Sequence, residues 1–268
     1  MGAGLGLPCT HRLLPAAGRM TKIERVRVLD IPVDAITMSE AIEYIDSLVQ
    51  GSDTGNYVLA VNPEKVNVLK KDPFLRAMFE KAALLLPDGI GIVLAIRLLF
   101  SNKIERVPGA DFMQNVCSIA PARGYRIFIY GAKEEINKNA VERLTGRFPG
   151  IKIVGRCNGY VKDEDMEKLI NEINKSGAEI LFVALGSPKQ EKWIEQYLPG
   201  LNVKVCQGIG GTLDTIAGTV KRAPLLFQKS GLEWFYRLIT EPRRFRRQMV
   251  LPVFAFDVIK EKLRSLRS

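Results

Sequence analysis

The stretch that decides the fold is ILFVALGSPKQE, residues 180–191. Its first part, Ile180 to Ala184, is a continuous apolar run with β-branched and aromatic side chains, which predicts a buried strand. A short loop containing Gly186 follows, and Pro188 opens a helical pattern, because proline is favoured in the first turn of a helix. A buried strand that leads through a short loop into a helix is the repeating unit of an α/β sheet.

The same alternation of strand and helix extends to both sides of this stretch. The predicted strands are Val26 to Leu29, Tyr57 to Val61, Ala83 to Leu86, Arg126 to Tyr130, Lys152 to Val154, Ile180 to Ala184 and Lys204 to Gln207. The predicted helices are Met38 to Val49, Glu64 to Lys70, Pro73 to Lys81, Ile90 to Leu99, Ala110 to Ala120, Glu134 to Phe148, Glu164 to Lys175 and Pro188 to Leu198. Thr37 and Glu40 form a capping-box pattern ahead of the first helix. This rhythm predicts a Rossmann-like α/β fold, with a mostly parallel sheet and helices on both faces.

The rhythm changes at both ends of the chain. Residues 1–19 are rich in glycine, alanine and proline and lack a continuous apolar segment, so we expect a disordered N-terminal extension or a misplaced start ahead of Met20. Residues 20–220 form the predicted α/β core, and residues 221–268 form a C-terminal basic helical appendage that prolines interrupt. No stretch reaches the roughly 18 uninterrupted apolar residues of a spanning helix, so we do not expect the chain to cross a membrane.

The amino-acid composition limits the catalytic groups and metal ligands that the chain can offer. The chain has 268 residues, 47% hydrophobic and 25% charged, which is typical of a folded globular protein. Its single histidine, His11, argues against histidine-based nucleophilic catalysis and histidine-ligated metals, and its four cysteines form no CxxC pair. The acidic triplet Asp163 to Asp165 has the DxD spacing of metal-dependent sugar transferases, but it opens a predicted helix, where acids favour the helix dipole. We therefore predict neither a metal site nor a cofactor, and acid–base chemistry by carboxylate, lysine or tyrosine.

Positive charge is concentrated at the C-terminus. The formal net charge is +10, and residues 221–268 hold twelve basic residues against four acidic ones, interleaved with large apolar side chains. Such a mixture suits an anionic bilayer surface, nucleic acid, or a solvated basic face on ordinary helices. No helix-turn-helix, RRM or KH signature accompanies the charge, so we predict no nucleic acid as partner, and an anionic membrane surface and a solvated face stay open at this point. The densest cluster, Arg243, Arg244, Arg246 and Arg247, suits a diphosphate, a lipid headgroup or a nucleic acid backbone.

Loops at the carboxyl ends of parallel strands are where ligands collect in such sheets. Asp88 lies between Pro87 and Gly89 after an apolar strand, where it is either a general base at the floor of a cleft or a helix N-cap. Asn62 and Gln190 offer amides to a base or a sugar, although loop amides also cap helices.

Two loops contain glycines, which allow a ligand or a neighbouring segment to come close to the loop backbone. The loop Gly208 to Gly211, with Gly210 inside it, lets N–H groups approach a phosphate, but it is not a P-loop. Gly131 follows a strand and admits either a ligand or a packed helix. The absence of GxGxxG with a following acid argues against a nicotinamide-dependent oxidoreductase on the same fold.

Taken together, these motifs resemble the WecG/TagA/CpsF family of glycosyltransferases. The resemblance runs from about Arg25 to the end of the chain, and the teichoic-acid branch is the most similar. The matching segments are Val61-Asn62-Pro63-Glu64, Leu86-Pro87-Asp88-Gly89-Ile90-Gly91, Arg106-Val107-Pro108-Gly109-Ala110-Asp111, Tyr130-Gly131-Ala132, Ile180 to Trp193, Gly208 to Asp214, Gly218 to Pro224, Gly231 to Arg237 and Glu241-Pro242-Arg243-Arg244.

The resemblance implies an inverting, metal-independent transferase that moves an amino sugar from a UDP donor to a polyprenyl-diphosphate-linked GlcNAc at the cytoplasmic face of the membrane. In the teichoic-acid branch the donor is UDP-ManNAc, whereas UDP-ManNAcA and UDP-glucose remain open alternatives, as does a homo-oligomer. The positions that match predicted catalytic residues are Asp88 as general base and Arg237, Arg244 and Arg247 as arginines that close over the diphosphate. The predicted substrate-binding positions are Asn62, Arg106, Gly109, Asp111, Gly131, Gln190, Gly210 and Asp214. One departure is Ala60, where that branch has a threonine.

Overall fold

The computed structural model describes residues 10–12, 23–100, 104–224, 226–227, 231–240 and 249–266. Its central feature is a six-stranded, all-parallel sheet. The strands are β4 (Asn56–Val61), β5 (Leu84–Pro87), β6 (Arg126–Gly131), β7 (Lys152–Cys157), β8 (Ile180–Ala184) and β9 (Val205–Gly208). They lie in the order β5-β4-β9-β8-β6-β7. The predicted α/β fold with a mostly parallel sheet is confirmed.

A second, antiparallel sheet precedes the first. It contains β1 (Thr10–Arg12), β2 (Ile23–Val28) and β3 (Ile31–Ala35) in that order. The predicted strand Val26 to Leu29 overlaps β2, but its placement in the parallel sheet is wrong, and β3 was not predicted. The two-residue turn between β2 and β3 puts Leu29 and Asp30 at positive φ, and neither β3 nor this turn carries a glycine that would have marked a hairpin.

A buried ion pair fastens this hairpin to the edge of the parallel sheet. Arg25 Nε lies 2.7 Å from Asp34 Oδ1, and the other carboxylate oxygen accepts the backbone N–H of Leu85 at 2.8 Å. Asp34 is almost completely buried, so the guanidinium supplies the opposite charge that a buried carboxylate needs. Burial works against ionisation of the Arg25 guanidinium, but the hydrogen bond to Asp34 and its charge raise the pKa of that guanidinium above the ordinary value.

Eleven helices are described; the first eight have bounds within a few residues of those predicted, whereas no bounds were predicted for the last three. They are α1 (Met38–Gln50), α2 (Pro63–Leu69), α3 (Pro73–Lys81), α4 (Ile90–Phe100), α5 (Gly109–Arg123), α6 (Glu134–Arg147), α7 (Met166–Ser176), α8 (Lys189–Tyr197), α9 (Thr212–Ala217), α10 (Glu233–Thr240) and α11 (Val250–Ser265). The capping box of α1 is confirmed: Thr37 Oγ1 accepts the N–H of Glu40, whose carboxylate accepts the N–H of Thr37. These two hydrogen bonds satisfy free backbone N–H groups at the N-terminus of α1 and so define where the helix begins.

The helices cover both faces of the parallel sheet. Buried residues of α2, α3, α4, α7, α8 and α11 pack on one face, and those of α1, α5, α6 and α9 pack on the other. The neighbouring strands β4 and β9 are followed by α2 and α9, which leave toward opposite faces. Such a divergence opens a crevice at the carboxyl ends of the strands, where α/β proteins bind ligands.

The last helix is part of these layers. Phe254 and Val258 of α11 are buried in the core, Lys70 Nζ lies 2.8 Å from Asp257 Oδ2, and Glu261 accepts the N–H of Leu29 at 3.2 Å. The division into segments at residues 20 and 221 stays a prediction, although Thr10–Arg12 pairs with β2 and α11 packs on α2 and α4. Among the described residues, no helix is both long and apolar enough to cross a bilayer.

Candidate active site

Asp88 lies at the carboxyl edge of the sheet, directly after β5. Its backbone N–H donates to Val61 O at 2.9 Å, so the ends of β4 and β5 are held together. Helix α4 begins two residues later at Ile90, so the position next to its first turn belongs to Gly89. Asp88 therefore precedes the N-cap position, and its side chain is half-buried at the crevice.

Asn62 is brought next to the Asp88 loop. A β-carbon on Gly89, which has a φ of +98°, would lie 3.7 Å from the Asn62 β-carbon. Asn62 Oδ1 accepts the N–H of Lys65 at 2.8 Å and so caps α2. Asn62 therefore acts as a helix cap through its side-chain oxygen. Its amide nitrogen is the group that can donate a hydrogen bond to a ligand.

Gln190 links the loops after β8 and β9. Its side chain is buried, and its Oε1 accepts the N–H of Gly210 at 2.9 Å. A β-carbon on Gly208 would come within 2.8 Å of Gln190 Nε2, so a larger residue there would displace the Gln190 amide. At Gly210 the φ is +55° and a β-carbon would point into open space, so this loop borders the crevice.

Arg106 forms an ion pair with a residue of the C-terminal segment. It lies ahead of α5, and its Nη1 is 3.1 Å from Glu233 Oε2 in the first turn of α10. Both side chains are largely buried, at 17% and 11% exposure. The segment that contains α10 therefore places a carboxylate directly on a guanidinium predicted to bind the nucleotide sugar.

A second guanidinium, Arg222, completes this charged cluster. It pairs with both carboxylate oxygens of Asp111 in the first turn of α5, with Nη2 to Oδ2 at 2.7 Å. This hydrogen bond, followed by the charges of Asp111, Glu233 and Asp88, raises the pKa of the Arg222 guanidinium, although partial burial opposes the rise. Arg222 is therefore permanently cationic and lies within the electrostatic field of Asp88.

Gly109 begins α5 beside β4 and β9. A β-carbon on Gly109 would lie 3.5 Å from the Ala60 β-carbon, and the Gly109 carbonyl accepts Gln207 Nε2 at 2.9 Å. Among the described residues, no donor reaches the buried Gln207 Oε1. Buried acceptors in proteins are normally hydrogen-bonded, so the Gln207 side-chain oxygen is an acceptor available below the loops of the site.

Two predicted positions have structural explanations of their own. Gly131 has a φ of +122°, and a β-carbon there would come within 2.4 Å of Ala184 O, so it allows β6 and β8 to approach. The Asp214 carbonyl accepts the N–H groups of Thr219 and Val220 and so closes the end of α9. Substrate contacts by Gly131 and Asp214 stay predictions.

The site residues form a long row. Asp88, Asn62 and Gly210 come just after β5, β4 and β9, Gln190 lies at the start of the helix after β8, and Gly131 is the last residue of β6. The strands lie in this same order across the sheet. With neighbouring strands about 4.8 Å apart, the row from Asp88 to Gly131 spans roughly 19 Å. A row of that length suits an elongated ligand.

The three predicted catalytic arginines are not part of this geometry. Arg244 and Arg247 lie outside the described residues, and for Arg237 the structure gives the helix position but no side chain. The acidic triplet Asp163–Asp165 forms a short 3₁₀ turn before α7. Within the described part of the chain, no group of histidine, cysteine, aspartate and glutamate side chains could hold a metal ion.

Sequence reasoning missed Arg222, Glu233 and Gln207. Arg222 and Glu233 pair with residues more than a hundred positions away, so no local pattern announces them. Gln207 did leave a signal, because it is a polar residue inside the buried strand β9.

The fold and site define an α/β protein with a cluster of charged and polar side chains at the carboxyl edge of its parallel sheet. Residues 26–268 match the glycosyl transferase WecG/TagA/CpsF family. The chain belongs to this family, and it is a glycosyltransferase.

Curated relatives from two bacterial genera support the assignment. One protein of Bacillus subtilis is 35% identical over 87% of this chain and 90% of its own length. One of Bacillus spizizenii is 33% identical over 86% and 89%, and one of Staphylococcus aureus is 31% identical over 89% and 93%. All three are named N-acetylglucosaminyldiphosphoundecaprenol N-acetyl-beta-D-mannosaminyltransferase.

Proposed function

We propose that this enzyme transfers N-acetylmannosamine from UDP-ManNAc to undecaprenyl-diphosphate-GlcNAc, with inversion at the anomeric carbon and without a metal ion. The product is the ManNAc-GlcNAc-diphosphate-undecaprenol linkage unit of wall teichoic acid. The names of the relatives support the sugar and the acceptor, since each relative aligns over about nine-tenths of its length. The loops at the carboxyl edge of the sheet, where α/β proteins bind nucleotides, and the guanidinium groups of Arg106 and Arg222 support a nucleotide sugar as donor.

Asp88 is the general base in this proposal. Its carboxylate removes the proton from a GlcNAc hydroxyl as that oxygen attacks the anomeric carbon of the donor. The new C–O bond forms as the bond to UDP breaks, and the bonding electrons leave with the UDP diphosphate. Base assistance of this kind is worth typically about 10²- to 10⁴-fold in rate.

Guanidinium groups take up the charge that develops on the diphosphate. Arg106 and Arg222 lie in the described crevice, each paired with a carboxylate. By resemblance, Arg237, Arg244 and Arg247 add further positive charge from the C-terminal segment. Fixed cations in a largely buried site stabilise developing negative charge strongly, a role that a divalent ion fills in DxD enzymes.

The enzyme works at the cytoplasmic face of the membrane, where its lipid-linked acceptor lies. Large apolar side chains are exposed on three helices, namely Leu94 and Leu98 of α4, Trp234, Phe235 and Ile239 of α10, and Val253, Phe256, Ile259 and Leu263 of α11. Helix α11 packs on α4, so the exposed side chains of these two helices share one region of the molecule. Basic residues around them would lie among anionic headgroups.

The observation that carries the proposal is the charged cluster at the carboxyl edge of the sheet: Arg222 is hydrogen-bonded to Asp111, the charges of Asp88 and Glu233 both act on Arg222, and Glu233 is paired with Arg106. The test is transfer by the purified full chain, in EDTA, to a short-chain polyprenyl-diphosphate GlcNAc. UDP-ManNAc, UDP-GlcNAc, UDP-ManNAcA and UDP-glucose are run in parallel. We expect product with UDP-ManNAc alone, whereas product with another donor or a requirement for a divalent ion would contradict the proposal.

A further inference from the structure

Glu191 places a buried carboxylate directly after Gln190, in the first turn of α8. Its Oε1 accepts a hydrogen bond from Lys65 Nζ at 2.6 Å and a longer one from Gln190 Nε2 at 3.4 Å. Lys65 Nζ also donates to the Ser187 hydroxyl and lies 5.6 Å from the centroid of the Phe79 ring. One carboxylate oxygen therefore receives both an ammonium group and the amide nitrogen of Gln190.

The other oxygen of this carboxylate is not paired in the same way. Among the described residues, no donor reaches Glu191 Oε2, although this atom is also buried. A buried charge is costly unless its hydrogen bonds are made, and apolar residues of similar volume often replace a buried ion pair without loss of stability. Folding stability alone therefore does not explain why a carboxylate occupies this position.

The amide of Gln190 is held in one orientation by its neighbours. Its Oε1 accepts the N–H of Gly210 at 2.9 Å, and its Nε2 faces Glu191. Turning the amide over would place its oxygen against the carboxylate and its NH₂ group against the N–H of Gly210, so both neighbours oppose the turn. Nε2 also packs closely on Gly208, where a β-carbon would lie only 2.8 Å away.

This orientation determines what Gln190 can offer a ligand. Its oxygen is occupied by the loop after β9, and one N–H of Nε2 is turned toward Glu191. The second N–H of Nε2 is the remaining donor of this amide. Phosphate, hydroxyl and carbonyl oxygens are acceptors, so a nucleotide sugar offers several groups that match this donor.

We propose that Glu191 is a positioning residue whose charge, held in place by Lys65, keeps the amide nitrogen of Gln190 directed to the donor substrate. The contact between Gln190 and a nucleotide sugar rests on the proposed function, whereas the orientation of the amide does not. Glu191 acts through Gln190 and exchanges no proton with substrate.

A double-variant cycle tests whether Glu191 acts through Gln190. Glu191→Gln, which removes the charge and keeps the shape, is made in the wild-type chain and in Gln190→Ala. The dissociation constant of UDP-ManNAc is measured by calorimetry for all four proteins. Residues that act as a unit have non-additive effects. We expect Glu191→Gln to weaken binding at least fivefold in the wild-type chain and less than twofold in Gln190→Ala.

The matched control is Glu195→Gln, one turn further along α8. Glu195 pairs with Lys81 at 3.8 Å, and the Lys81 side chain is 69% exposed, so binding by this variant should match wild type. The second variant is Glu191→Asp, which keeps the charge but withdraws it from the amide. It should show a smaller loss with the same dependence on Gln190, and it decides the question if Glu191→Gln does not fold.

Two outcomes would overturn the inference. One is unchanged binding in Glu191→Gln, and the other is a loss of equal size with and without the Gln190 side chain, which would make the role of Glu191 purely structural. A wild-type chain that binds UDP-ManNAc without transferring the sugar would count against the proposed function alone, and the cycle would still decide the inference. If only UDP binds, the same cycle is run with UDP, whereas a wild-type chain that binds neither would contradict both.

Discussion

The Lys65–Glu191 ion pair offers the sharpest test of how the crevice is held in shape. Lys65 Nζ in α2 lies 2.6 Å from Glu191 Oε1 in α8, with the two side chains 11% and 2% exposed. Lys65 also donates its backbone N–H to Asn62, and Glu191 Oε1 lies 3.4 Å from Gln190 Nε2. One ion pair therefore joins the two loops that carry the predicted amide contacts.

Removing Lys65 should cost far more than removing an exposed lysine. Lys65→Met leaves the Glu191 carboxylate buried and unpaired, which costs about 3–5 kcal/mol. For a chain of this size, one kcal/mol lowers Tm by about 2–4 °C, so we expect a fall on the order of 10 °C. The control is Lys70→Met, whose pair with Asp257 is 36% and 35% exposed. A pair so exposed is worth about 0–1 kcal/mol.

A double variant separates the charge effect from the loss of packing. Replacing both partners, as in Lys65→Met with Glu191→Leu, removes the stranded charge and should recover most of the lost stability. Urea unfolding of the four proteins gives the free energies of unfolding, and donor KM shows whether the loops have moved. The reasoning is refuted if Lys65→Met is no more destabilising than Lys70→Met.

Two further predictions concern stability. Phe254→Ala should cost about 3–5 kcal/mol in urea unfolding because its ring is buried in the core, whereas Phe256→Ala, on the exposed side of the same helix, should stay within about 0.5 kcal/mol; equal losses would show that α11 is not part of the core. Burial raises the pKa of Tyr57 to about 12 from 10.0 and that of Cys117 to about 12 from 9.0. Because the unfolded chain releases these protons at lower pH, their stabilisation is complete below about pH 9 and is lost as pH rises toward 12. A free energy of unfolding that stays constant from pH 9 to pH 11 would contradict this.

The parallel sheet could be predicted because each of its strands carries its own signal. Runs such as Ile180 to Ala184 are apolar, short and followed by loop residues, and β8 has those same bounds. The hairpin of β2 and β3 was not predicted because its turn has Leu29 and Asp30 at positive φ, where glycine or asparagine is the usual signal. Whether an apolar segment joins one sheet or another depends on partners that local sequence does not specify.

The sequence predicted only those site residues that lie in the loops after the strands. Asp88, Asn62 and Gln190 follow strands, so the topology alone brings their loops to one edge. Arg222 and Glu233 enter the site from the C-terminal segment by pairing with Asp111 and Arg106. Those pairings depend on where a distant segment packs, which neither periodicity nor spacing reveals.

The central claim is that Asp88 supplies the base at this crevice. The most direct measurement compares single-turnover transfer by wild type, Asp88→Asn and the control Asp72→Asn, together with UDP affinity by calorimetry. Asp72 caps α3, and asparagine caps a helix equally well. We predict that Asp88→Asn slows transfer about 10²- to 10⁴-fold while UDP affinity stays within a few-fold and Asp72→Asn matches wild type. Transfer by Asp88→Asn within tenfold of wild type would contradict the account.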